Sequence, residues 1–89
     1  MRRAAKIDAN QPAIVSALRK VGCTVQSLAA VGKGVPDLLV GYQGKTYLLE
    51  VKDGKWTLTP DQVDWHGKWK GGPLRVVASI DEAIEAITK

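Results

Sequence analysis

Cysteine is almost missing from this chain: Cys23 is the single one in 89 residues. One thiol closes no internal disulfide, and without a C-x-x-C pair there is no zinc-ribbon or dithiol spacing. A reducing, cytoplasmic setting is the expectation. Cys23 itself, just past a helix end, reads as a small packed apolar group. No stretch approaches the roughly 18 consecutive apolar residues of a membrane helix, so no membrane partner is expected. Arg2, Arg3 and Lys6 stand near the N-terminus without an apolar segment behind them, so this is not read as a secretory signal. The turn Ala29–Val35 has two glycines around Lys33 but neither the length nor the G-K-[ST] ending of a phosphate-binding loop. There is no internal repeat, linker or biased segment. Histidine is as scarce as cysteine: His66 stands alone between tryptophans on a helix and reads as structural or surface.

What remains is an ordinary globular composition, 45% hydrophobic and 25% charged, which fits one small domain with one core. A chain this short buries little apolar surface by itself, so self-association is expected. The net charge of +4 tilts the surface modestly toward phosphate polymers. Residues 1–9 are read as a basic arm and residues 10–89 as the domain. Within the arm, Arg2, Arg3 and Lys6 are candidate phosphate contacts.

Helical spacing of Ile14, Val15, Leu18 and Val21 predicts a helix over 11–21, with Asn10 as N-cap, Pro12 in its first turn and Gly22 as its stop. Thr24–Leu28 alternates as a strand. Pro36–Tyr42 and Lys45–Lys52 read as two strands joined at Gln43-Gly44, and their continuous apolar runs suit burial on both faces. Thr59-Pro60-Asp61-Gln62 is a capping box that opens a second helix, broken by Gly71-Gly72-Pro73. Leu74–Ala78 reads as a fourth strand, and Ser79–Glu82 as another capping box opening a last helix. The expected order is α-β-β-β-α-β-α.

The chemistry is concentrated in Gly34–Lys52, GVPDLLVGYQGKTYLLEVK. If its two strands pair about Gln43-Gly44, Asp37 and Glu50 lie nearly opposite each other. Glu50 and Lys52 share a face because side chains alternate along a strand. Two facing carboxylates suit Mg²⁺, which takes few protein ligands and keeps several waters. Such an ion polarises a phosphoryl oxygen and acidifies a bound water, beside which Lys52 supplies a charge. The same residues have a plain reading: Asp37 starts a strand, and Glu50 and Lys52 are charges on a solvated face.

Pro36-Asp37 followed by Glu50-Val51-Lys52 resembles the PD-(D/E)xK nuclease signature. The fuller similarity is to its VRR-Nuc branch, which has small phage-encoded and bacterial stand-alone members. It is carried by Gly34–Val40, Tyr47–Lys52 and Leu58-Thr59-x-x-Gln62-x-x-Trp65, and spans about residues 7–88. The resemblance implies an α/β, restriction-endonuclease-like αβββαβ core, a mixed four-stranded sheet flanked by helices, plus a C-terminal helix. It implies Mg²⁺ or Mn²⁺ held by Asp37, Glu50 and the Val51 carbonyl, with Lys52 as catalytic lysine. Gln62 would position Lys52 or a DNA phosphate, unless it only completes the capping box. Where relatives carry a glutamate on the first helix, this chain has Gln11, which can hold a metal's water but ligates a cation poorly. One metal rather than two is therefore expected.

The implied activity is structure-specific cleavage of DNA, branched as in Holliday junctions, by a homodimer in a bacterial or phage-infected cell. The alternative is a catalytically weak binding module on the same fold. Lys33, Lys55 and Trp56 are further candidate DNA contacts, Trp56 by stacking on a base. Trp65 and Trp69, four apart on one helical face, are read as core or dimer packing.

Overall fold

The computed structural model describes residues 8–89. Arg2, Arg3 and Lys6 of the expected basic arm lie outside them. The elements are α1 (Gln11–Lys20), β1 (Thr24–Ser27), β2 (Leu38–Tyr42), β3 (Lys45–Val51), α2 (Pro60–Lys68), β4 (Leu74–Val77) and α3 (Ile80–Thr88). They form one sheet in the order β1-β2-β3-β4. The first three strands are antiparallel neighbours, while β4 runs parallel to β3. A parallel neighbour cannot be reached by a tight turn, so the chain needs the crossover that α2 provides. The αβββαβ order with a mixed sheet and a C-terminal helix is the one expected. Among the described residues no helix is long and apolar enough to cross a membrane.

The β2–β3 turn is pinned by two residues at positive φ, Gln43 at 48° and Gly44 at 80°. Consecutive left-handed residues match the twist of paired strands and leave no slack in register. Tyr42 pairs with Lys45, and Leu38 with Leu49.

Alternation along β3 then sorts its residues. Tyr47, Leu49 and Val51 join Ile14 and Leu18 of α1 and Ala83 and Ile87 of α3 in the core, with Val25, Leu38, Val40 and Val77. The Tyr47 hydroxyl donates to the Ile87 carbonyl at 3.1 Å, which satisfies a polar atom that would otherwise be stranded there. Leu48 and Glu50 point the other way and are also buried, so β3 is covered on both faces as expected. In β2 that expectation fails. Leu39 is 38% exposed, because α2 is short and covers only the end of this face.

Caps and ends depart from the sequence reading in two ways. Asn10 occupies the N-cap position of α1 without capping it. Its amide instead donates to the Lys52 carbonyl at 2.9 Å and the Ala78 carbonyl at 3.1 Å. It thus holds α1 to the ends of β3 and β4, a use that local propensity cannot reveal. At α3, Ser79 accepts from the Glu82 amide at 3.1 Å, but the Glu82 carboxylate reaches one residue beyond the cap, to the Ala78 amide. The Thr59–Gln62 capping box of α2 is complete.

No residue of α2 is buried. A fully buried aliphatic side chain contributes about 2 kcal/mol, and α2 draws on none of that. Trp65 and Trp69 stack on each other, ring centroids 5.1 Å apart, with Trp69 39% exposed, so they do not pack into the core. The helix is held by polar contacts and by one close backbone approach. Gly34, at φ +87°, lies so near the Asp61 carbonyl that a Cβ would collide with it.

Gly34→Ala is therefore expected to lose the left-handed backbone cost of about 1–2 kcal/mol and more besides, by displacing α2. Gly32, at φ +70° with open surroundings, pays only the backbone part when changed to alanine. Thermal melts by circular dichroism check this, the Gly34 variant melting at least several degrees below the Gly32 variant.

Candidate active site

Asp37 ends the loop ahead of β2, after the buried Pro36, and its Oδ2 accepts from the Val51 amide at 2.7 Å. That bond fixes one carboxylate against β3 where β2 begins. The register that pairs Leu38 with Leu49 brings Glu50 opposite Asp37. Glu50 is 1% exposed, an unusual place for a carboxylate. Its pKa is pushed up to about 8, first by burial and then by the hydrogen bond and negative charge of Asp37; Lys52 opposes the shift and Asp8 adds to it.

Two side chains of α2 reach down to this carboxylate. Gln62 donates from Nε2 to Glu50 Oε2 at 3.2 Å, while its Oε1 accepts from Lys52 Nζ at 2.8 Å and from the Thr59 amide at 2.9 Å. One glutamine thus closes the capping box and ties the lysine to the buried acid. The two readings of Gln62 are compatible, because a carbonyl oxygen has two lone pairs. His66, one turn on, sets Nε2 3.2 Å from Glu50 Oε1. Desolvation and the Lys52 charge lower its pKa, against the pull of Asp37. Lowering the pKa favours the neutral ring, and with it a hydrogen bond over an ion pair.

The sequence reading set His66 aside as structural or surface; the structure places it against Glu50. The signal was there: positions 62 and 66 are four apart and lie on one helical face. Asp8 was also missed, since its influence on Glu50 comes through the fold. Gln11 is 4% exposed, and its side-chain oxygen finds no partner among the described residues. Asp37, Glu50, Lys52, Gln62 and His66 are thus brought together, with Gln11 next to Asn10 at the same end of the sheet.

The remaining candidates lie elsewhere. Lys33 is exposed at φ 58° in the β1–β2 loop. Lys55 is exposed after β3, and Trp56 lines a cleft with Arg75, Glu82, Glu85 and Lys89 of β4 and α3.

Among the described residues no group of three or more His, Cys, Asp or Glu is gathered to hold a metal. The donors that do converge are two carboxylates, with the Val51 backbone beside them. Oxygen donors few in number fit Mg²⁺ or Mn²⁺ better than a softer ion. Two observations support that fit. Burial first, and then the facing Asp37, raises the Glu50 pKa, and a divalent cation would offset both the desolvation and the repulsion. The orphaned Gln11 oxygen is an acceptor suited to a coordinated water.

No protein-family model matches the chain, and no curated protein matches it significantly. A solved structure described as a VRR_NUC domain does match, with a TM-score of 0.68 and 26% sequence identity. The match covers 90% of this chain and 96% of that one. The architecture is accordingly the restriction-endonuclease-like one, and the likeness extends over almost the full length of both chains.

Proposed function

We propose that this chain is a Mg²⁺- or Mn²⁺-dependent endodeoxyribonuclease that hydrolyses phosphodiester bonds in branched DNA. The observation that carries the reading is the buried Glu50 carboxylate facing Asp37, with Lys52 tied to it through Gln62. A structural charge cluster would place its acids where water screens them. Here an acid is buried against another acid, an arrangement that costs stability and is common where chemistry requires it. The likeness to a VRR_NUC domain supports the same reading.

Asp37, Glu50 and the Val51 carbonyl would hold the ion. When bound, it supplies Lewis-acid polarisation of a phosphoryl oxygen and a more acidic water. The protein's own groups do the rest. The Val51 amide fixes Asp37, and Gln62 and His66 fix both oxygens of Glu50. Gln62 also sets the direction of the Lys52 ammonium, whose charge stabilises the negative charge that develops on the attacked phosphate. Gln11 would accept a hydrogen bond from a water of the ion.

A domain of this size has little surface for reading long sequences, so recognition rests on phosphates and DNA shape. A homodimer would set two such sites against the two strands of a two-fold junction.

The test is a labelled four-way junction beside a linear duplex of the same sequence, each with Mg²⁺, Mn²⁺ or EDTA. Metal-dependent cutting of the junction, with the duplex cut at least about tenfold more slowly, is the expected result. Binding without cutting under either ion would make the chain a binding module and sink the catalytic reading.

A further inference from the structure

The geometry points to a second nucleic-acid contact, a cationic groove between α1 and the sheet edge β1 that carries a DNA strand's phosphates toward the acidic site. This deepens the nuclease reading and rests on it.

The groove, about 630 Å³ and open, is lined by Gln11, Pro12, Val15, Ser16, Arg19, Lys20 and Ser27. Residues 11, 15–16 and 19–20 recur at helical spacing, so one stripe of α1 forms a wall about 12 Å long at 1.5 Å per residue. Its two ends differ. At one end Gln11 adjoins Asn10, whose amide holds the Lys52 carbonyl, and Ser27 pairs with Leu38, next in sequence to Asp37. At the other end are Arg19 and Lys20.

The groove thus leads away from the carboxylates to two cations. None of its lining residues is acidic. The cleft between β4 and α3 lacks this quality, because Glu82 and Glu85 offset Arg75 and Lys89 there.

Arg19 is also held in place. Its Nη2 donates to the Val25 carbonyl at 3.2 Å, which lays the guanidinium across to β1. The planar fork has further donors for a phosphate, and a fork already oriented loses less freedom on binding. Ser16 and Ser27 add hydroxyls of the kind that contact phosphate oxygens; Ser27 Oγ accepts from the Ala29 amide at 3.3 Å, and its own hydrogen remains to be donated. β1 is the outer strand of the sheet, so among the described residues no further strand flanks the groove on that side.

The experiment measures junction affinity by fluorescence anisotropy in EDTA across a salt series, with Mg²⁺-dependent cleavage assayed in parallel. Each phosphate contact contributes about 0.9 to the slope of log affinity against log salt. The Arg19→Gln/Lys20→Gln double variant should therefore flatten the slope by up to about 1.8 and weaken binding roughly 10- to 60-fold near 0.1 M salt. Lys20→Glu alone, at an exposed position with no role in packing, should flatten it by about 1 or more. Lys45→Gln, on β3 and outside the groove lining, should leave it unchanged.

Unchanged slopes in both groove variants, or equal flattening by Lys45→Gln, would overturn the groove. If the parent still cuts the junction, only the groove falls. A parent that neither binds nor cuts would remove the nuclease reading and the groove with it.

Discussion

Lys52→Ala is expected to leave junction binding within about threefold of the parent and to slow cleavage by about 10²- to 10⁴-fold, the range for removal of a positioned charge or acid–base group. The variant should fold. Lys52 is half-buried, and its partner Gln62 keeps the Thr59 amide and the Glu50 carboxylate when the ammonium is gone. In the proposed reaction its charge would act on the phosphate as the transition state forms, so the loss belongs in the rate and not in the affinity. Single-turnover cleavage with protein in excess, beside anisotropy in EDTA, separates the two. A Lys52→Ala protein that cuts as fast as the parent would show that the assigned centre is not where cleavage occurs.

Glu50→Gln gives the second large effect, and its sign is opposite for stability and for activity. Glu50 has a pKa raised from 4.5 to about 8 in the fold. A raised carboxyl pKa means that the folded protein opposes ionisation. In the metal-free protein, stability from this group is therefore fully present below about pH 4.5. It falls as pH rises toward 8, by up to about 1.4 kcal/mol per pH unit. Glutamine keeps the shape and removes the charge.

At pH 8 without metal, Glu50→Gln is expected to be more stable than the parent by about 2 kcal/mol or more, a rise in Tm on the order of 10 °C for a domain of this size. At pH 5 the gap should shrink to under about 1 kcal/mol, and at about pH 4 the two should nearly coincide. Mg²⁺ at ten times its Kd should restore about 1.4 kcal/mol to the parent at pH 8 and do little for the variant. The variant should not cut DNA. Melting curves at these pH values, with and without Mg²⁺, test all of this together. A parent whose Tm at pH 8 ignores Mg²⁺, while Glu50→Gln matches it without metal, would argue against a cation between these carboxylates. The gain in stability with loss of activity is the trade expected where an acid is buried for chemistry.

The facing of Asp37 and Glu50 was legible because it depends on one local fact. A two-residue turn at Gln43-Gly44 fixes the register of both strands, and counting outward brings 37 and 50 together. The parallel β4 was legible for a similar reason, since a helix between two strands leaves few other connections. For His66 the sequence offered only its helical spacing from Gln62; the contact with Glu50 itself depends on the angle at which α2 crosses the sheet. Asn10 misled for a related reason. It has the composition of a cap, but its NH₂ is drawn to two carbonyls where β3 and β4 end, and its Oδ1 is left aimed away from the helix amides. The half-exposed Leu39 reflects the limited reach of α2, which an apolar run cannot disclose.

The tryptophans make this chain unusual to watch by light. Two of the three, Trp65 and Trp69, are stacked on α2, and Trp56 is 44% exposed on the loop ahead of it. The core holds none of them. Intrinsic emission from this protein therefore reports how α2 sits over Glu50 and Lys52, while the far-ultraviolet signal reports the sheet and helices as a whole. In a Trp56→Phe background, a change in emission on adding an ion or a DNA strand is thus a signal from α2 beside the acidic centre, with the indole pair as a built-in label.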